Sequence, residues 1–241
     1  MSWFDALFGR RELPPALAAR LAVWRSLAAP TPNLVPRRWV VVDTETSGLD
    51  TARGKLLSIG AVCVEDAAIV VDSAFEIVLR QESASSRENI TLHGIGAGAQ
   101  TRGFDPGEAL MCFLEFARKD PLVAWHAGFD AAFLRRALKA RLGLRLENEW
   151  LDLAVLAPLK LSSSAADARG VADLDKWLAR FGIDPGARHN ALADAFASAQ
   201  LFQIALRGIA RERGSENRNR LCDLLMLAGE QAALRRRQAG L

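Results

Sequence analysis

Asp43 and Glu45 stand two apart at the end of the apolar run Trp39-Val40-Val41-Val42, within Asp43-Thr44-Glu45-Thr46-Ser47-Gly48-Leu49. Such a run reads as a strand buried on both faces, and burial gives it no reason to end in two acids. Side chains alternate along a strand with period two, so both carboxylates project to one side, close enough to share a bound cation. Two like charges about 4 Å apart repel by roughly 4 kcal/mol at an effective dielectric near 20, and a divalent ion between them removes that cost. The competing reading is a cap and turn, with Asp43 and Thr44 capping a helix and Ser47-Gly48 reversing the chain. Partners elsewhere in the sequence must decide between the two.

Asp130 is the first such partner, in Leu122-Val-Ala-Trp-His-Ala-Gly-Phe-Asp130, at the first turn of a helix that follows a buried strand. The helix dipole favours a carboxylate there, as a cap or as a ligand. Asp194 is the second, in His189-Asn-Ala-Leu-Ala-Asp194. A helix starting near Ala191 turns Asp194 inward with Ala191, Ala195 and Ser198, small residues that let it lie close to a sheet and reach the end of the strand carrying Asp43. His189 precedes that helix on a loop that also holds Pro185 and Gly186. A histidine on a mobile loop suits a general base that takes a proton from water; alone it also reads as an exposed loop residue.

The elements that must position these residues follow from the pattern. Leu13, Leu17, Leu21 and Trp24 mark an amphipathic helix after Pro14-Pro15, and the prolines of Pro30–Pro36 end it in a linker. The central strand spans about 38–44, and residues 55–65 and 68–79 are two further strands, joined at Glu65-Asp66-Ala67, that are expected to be antiparallel partners of the first. Residues 81–105 read as a long polar loop around Leu92-His93-Gly94-Ile95. A helix over 106–117, a short strand over 121–125 and a helix over 129–142 come next. The apolar stretch 150–161 is open between strand and helix. Residues 161–170 read as a small-residue loop, 173–181 as a short helix, and 191–207 as a long helix. The tail carries one more amphipathic helix, over 217–237, ending in Arg235-Arg236-Arg237. Strands first, then strands alternating with helices, indicate an α/β fold with a mixed sheet flanked by helices. The expected organisation is an N-terminal helical extension and linker over 1–37, a central domain over 38–207, and a basic helical extension over 208–241.

The 241 residues suffice for one well-buried domain with appendages, half apolar and a quarter charged. Cys63, Cys112 and Cys222 lie far apart without metal-type spacing, which fits a reducing compartment. No segment has the roughly 20 uninterrupted apolar residues of a membrane span, and Asp5 interrupts the short N-terminal apolar run, so a cytoplasmic protein without a membrane partner is expected. Net charge is +3, with both flanks basic and the middle acidic. That distribution suits approach to a phosphate backbone by a protein holding cations at its centre, and also suits plain solvated helix faces.

Taken together, D-x-E-T-x-G-L at 43–49, a hydrophobic strand followed by F-D at 129–130, and H-x-A-x-x-D at 189–194 resemble, in order and spacing, the DEDDh family of 3′→5′ exonucleases. That family includes the proofreading epsilon subunit of bacterial replicative polymerases, ribonuclease T and oligoribonuclease. The resemblance covers roughly residues 38–207. It implies a ribonuclease H-like fold in which Asp43, Glu45, Asp130 and Asp194 hold two Mg²⁺ or Mn²⁺ ions and His189 is the base. One ion would acidify the attacking water and the other stabilise the departing 3′ oxygen. It further implies that the backbone around Thr44 and Thr46 holds the 3′ end, that Leu49 packs on the terminal base, and that His93 and Phe129 line the nucleotide pocket. Trp125-His126 stands where many members carry His-Asn, with His126 available to replace the asparagine's contact. The implied partner is a single-stranded 3′ end, DNA before RNA. The alternatives are an RNA-trimming enzyme and a catalytically silent nucleic-acid-binding or scaffold module. The terminal helices either pack on the domain or offer a docking surface, for instance to a polymerase.

Overall fold

The computed structural model describes residues 13–31, 36–162 and 173–211. The amphipathic helix expected over 217–237 and most of the small-residue loop at 161–170 lie outside them. Helix α1 is Pro15–Ser26. Strands β1 Arg38–Thr46, β2 Leu56–Glu65 and β3 Ala68–Val78 follow, then helices α2 Arg87–His93, α3 Ala97–Arg102 and α4 Pro106–Ala117. Next come β4 Leu122–Ala124, α5 Ala127–Leu142, β5 Trp150–Asp152, α6 Leu153–Leu161, α7 Leu174–Arg180 and α8 Ala191–Arg211. The sheet order is β3-β2-β1-β4-β5, with β1 antiparallel to β2, β2 antiparallel to β3, and β4 and β5 parallel to β1.

β1 is the middle strand because Trp39 to Val42 supply apolar side chains to both faces. Val40 and Val42 join one core with α1, α4 and α5; Trp39 and Val41 join the other with α6, α7 and α8. Each fully buried Val or Leu adds roughly 1.5–3 kcal/mol of transfer free energy, so the alternation fixes the register of the strand. The same alternation continued by three residues sends Asp43 and Glu45 toward α8 and Thr44 toward α5. Both acids thus extend the apolar stripe that α8 covers.

Three expectations are corrected. β3 pairs with β2 and not with β1: the hairpin turn is only Asp66-Ala67, both at positive φ, and the far edge of β1 is taken by β4. Residues 81–105 are not a plain loop but hold α2 and α3. Ser86 caps α2 by accepting from the Asn89 N–H, Gly94 ends it at φ 70°, and the buried Gln100 amide ties the segment together by donating to Ser85 and Ile95. The stretch 150–161 divides at Asp152, which ends β5 and caps α6 by accepting from the Ala154 N–H at 2.9 Å.

α1 lies on α4. Leu17, Leu21 and Trp24 are buried in the first core, while Arg20 pairs with Glu108 at 2.5 Å and Glu115 at 2.6 Å. α8 crosses β1 and β2 on the other face. Its start presses on Gly60, the residue paired with Asp43 across the β1/β2 ladder. A Cβ at Gly60 would stand 2.2 Å from the Ala191 carbonyl carbon and the Leu192 nitrogen, so only glycine allows the helix this close.

Candidate active site

That close approach brings Asp194 to the end of β1. Asp43, Glu45 and Asp194 each offer a carboxylate oxygen within 4.8 Å of the others'. Asp194 is buried in the first turn of α8, whereas Asp43 and Glu45 are half-buried and face an open cavity of about 600 Å³. Asn190 starts α8 by accepting from the Ala193 N–H at 2.9 Å, and Asp194 closes the loop onto the helix by accepting from the His189 N–H at 3.0 Å. His189 itself is exposed on the cavity wall in a left-handed backbone conformation, φ 61°.

Asp130 does not belong to the close trio. It is 3% exposed at the first turn of α5, on the opposite face of β1, and accepts a 2.7 Å hydrogen bond from the Thr44 hydroxyl. Its charge is nonetheless felt by the other two: burial is the main cause that raises the Asp43 carboxyl well above the usual range, followed by repulsion from Asp130, Asp194 and Glu45. Burial, then Asp194 and Asp130, push Glu45 up to about 8. Burial pushes Asp130 to about 7, against the hydrogen bonds from Thr44 and backbone N–H groups. The site therefore holds more negative charge than its surroundings neutralise. Oxygen donors only, from side chains that repel one another, match a hard divalent cation in kind and in charge.

Among the residues expected to touch substrate, Thr44 and His126 line this cavity. His126 begins α5 at φ 57°, its N–H on Asp152 at 3.2 Å, with Trp125 edge-on against its ring. Thr46, Leu49, His93 and Phe129 are not among the residues lining it. The Thr46 hydroxyl donates to the Gly48 carbonyl, Leu49 is 87% exposed on the β1–β2 loop, and Phe129 packs on Phe133. His93 is buried, and its Nδ1 accepts from the Ile95 N–H.

The sequence reading passed over Arg188, Lys176 and Asp152. Arg188 donates to Asp194 Oδ1 and, at 2.6 Å, to Asp175 Oδ1, and its charge eases that of Asp43 and Glu45. Its position immediately before His189 was the available signal. Lys176 lines the cavity from α7 and gave none. Asp152 was hidden in the undivided stretch 150–161.

Residues 40–202 match the family model described as exonuclease (RNase_T). A DNA polymerase III PolC-type protein of Thermotoga petrophila is 32% identical over 166 residues, 68% of this chain but 11% of that protein. DNA polymerase III subunit epsilon of Rickettsia typhi is 28% identical over 175 residues, covering 71% of this chain and 74% of that one. The chain thus spans about a tenth of the PolC-type relative and most of the epsilon subunit. Among solved structures, E. coli exonuclease I in complex with a dT13 oligonucleotide superposes with a TM-score of 0.60 at 14% identity, over 73% of this chain and 42% of that one, which shows the ribonuclease H-like fold. With the acids of β1 and α8 brought together on that fold and the match running from one to the other, the chain belongs to the RNase_T family of DEDD-type 3′→5′ exonucleases.

Proposed function

We propose that the protein is a metal-dependent exonuclease that removes nucleoside 5′-monophosphates from the 3′ end of single-stranded DNA, in proofreading or repair. The observation that carries the reading is the meeting of Asp43, Glu45 and Asp194 within 4.8 Å beside an exposed His189. In this reading the three carboxylates, with Asp130 behind them, hold two Mg²⁺ or Mn²⁺ ions, which when bound supply Lewis-acid polarisation of the phosphate and acidify water.

The chain's own residues do the rest. An imidazole nitrogen of His189 takes the proton of the attacking water; the water oxygen bonds to phosphorus as the bond to the 3′ oxygen breaks, and the departing 3′ oxygen takes a proton from solvent, leaving a shortened strand with a 3′ hydroxyl and a free nucleoside 5′-monophosphate. The N–H of His189 on Asp194 fixes the base against the acid cluster, so both move with α8. Thr44 holds Asp130 in place through its hydroxyl. Lys176 on the cavity wall supplies a positive charge for the phosphate backbone. The name of the Rickettsia relative, DNA polymerase III subunit epsilon, supports a polymerase as partner, and the oligonucleotide bound by exonuclease I supports single-stranded DNA as substrate.

The test is digestion of matched 5′-labelled DNA and RNA strands with Mg²⁺. Stepwise shortening of DNA from the 3′ end is expected, abolished by EDTA and by Asp43→Ala. Faster shortening of RNA would move the substrate to RNA, and equal failure of wild type and Asp43→Ala on all strands would remove the enzyme reading.

A further inference from the structure

Arg188 is held at both ends of its guanidinium. Its Nε donates to Asp175 on α7 at 2.6 Å and its Nη1 to Asp194 Oδ1 on α8, while Asp194 Oδ2 accepts from the His189 N–H. Both oxygens of Asp194 are thus engaged, one of them by a full positive charge. A cation held by Asp43, Glu45 and Asp194 would have to share Asp194 with that charge, and two cations on one buried carboxylate repel. Asp175 is mostly exposed, and it offers the guanidinium an anion to keep when it lets go of Asp194.

We propose that Arg188 is a built-in counter-ion that a divalent metal must displace from Asp194, so that metal loading and release of Arg188 are one exchange. The inference rests on the metal-site reading above and extends it. Without metal, Arg188 partly balances three clustered carboxylates and holds the loop before His189 in its place. With metal, it swings on its Asp175 contact, and its charge becomes available on the cavity wall beside Lys176, where a strand's phosphates would pass. Arg188 is in these terms a positioning residue, acting through Asp194.

The test titrates Mn²⁺ into metal-free full-length protein and reads the free ion by electron paramagnetic resonance. Removing the competing charge in Arg188→Met, or in Arg188→Gln, which keeps hydrogen-bond donors, is expected to tighten Mn²⁺ binding by about tenfold or more. Binding equal to or weaker than wild type in folded variants overturns the proposal. Asp43→Ala separates the two ideas: if wild type binds Mn²⁺ no better than Asp43→Ala, the metal site itself is wrong. In the wild type, the Arg188 Nη–H resonance, whose partner is Asp194, is expected to shift and exchange faster as Mg²⁺ is added, while Nε–H stays on Asp175. A resonance unmoved at saturating Mg²⁺ refutes displacement whatever the variants do.

Discussion

Asp130 and Asp194 reach the end of β1 from opposite faces of the sheet, each on the first turn of a helix and each almost fully buried. Asp194 is met by a guanidinium and a backbone N–H, whereas the side-chain partner of Asp130 is a neutral hydroxyl. The difference shows what burial does with and without a counter-charge. Burial without a cation drives the Asp130 carboxyl to about 7, while Arg188 supplies Asp194 with a charge that also reaches Asp43 and Glu45. One carboxylate has a neutral donor and the other a guanidinium.

Breaking the paired side is expected to have the largest effect. Asp194→Ala removes a member of the trio and should lower turnover by about 10³-fold or more, the scale seen when one member of a cooperating catalytic set is lost; a variant retaining a tenth of wild-type kcat would refute its role. Gly60→Ala acts on the same side at a distance, by forcing α8 off the strand. A cost of roughly 1–3 kcal/mol or more in denaturant unfolding is expected, with weaker Mn²⁺ binding, and an undisturbed midpoint would show that α8 does not need this approach.

The difference in counter-charge predicts a pH dependence. Glu45 and Asp130 have folded pKa values, about 8 and about 7, above their ordinary 4.5 and 3.8. For such groups the protonated form is the one the fold favours, so stability of metal-free protein is fully present below pH 4 and falls as pH rises toward 8. Thermal melts in EDTA should show that fall, and saturating Mg²⁺ should flatten it; melts insensitive to Mg²⁺ at pH 8 would contradict the shared cause. At that pH Asp130→Asn should raise the metal-free Tm by removing a buried charge, whereas Asp194→Asn should lower it by leaving Arg188 without its buried partner. The smallest change is Thr44→Val, which removes one hydroxyl donor to Asp130 at a cost of roughly 1 kcal/mol in unfolding free energy.

The strands and most helices were legible because hydrophobic periodicity is a local property: Val40 and Val42 against Trp39 and Val41 already state two cores. α2 and α3 were not: the equally short α7 is marked by Leu174, Trp177 and Leu178, whereas α2 and α3 bury only His93 and Gln100 and stand on a cap at Ser86 and the buried Gln100 amide. Spacing put Asp43 and Glu45 on one side of β1 and offered both Asp130 and Asp194 as candidates to join them, without saying which would come close. Gly60 was not legible, since a glycine inside an apolar strand looks the same whether or not a helix presses on it. Among the described residues, no helix is long and apolar enough to cross a membrane.

The sequence alone determined which side of β1 Asp43 and Glu45 would share, because alternation along a strand is set by backbone geometry within a few residues. Only the tertiary structure decided that Asp194 would join them and that Arg188 would lie between Asp194 and Asp175. Those outcomes depend on how near α8 settles on β2 and on which charges then meet across elements, and such distances are fixed by packing between segments that no local pattern couples.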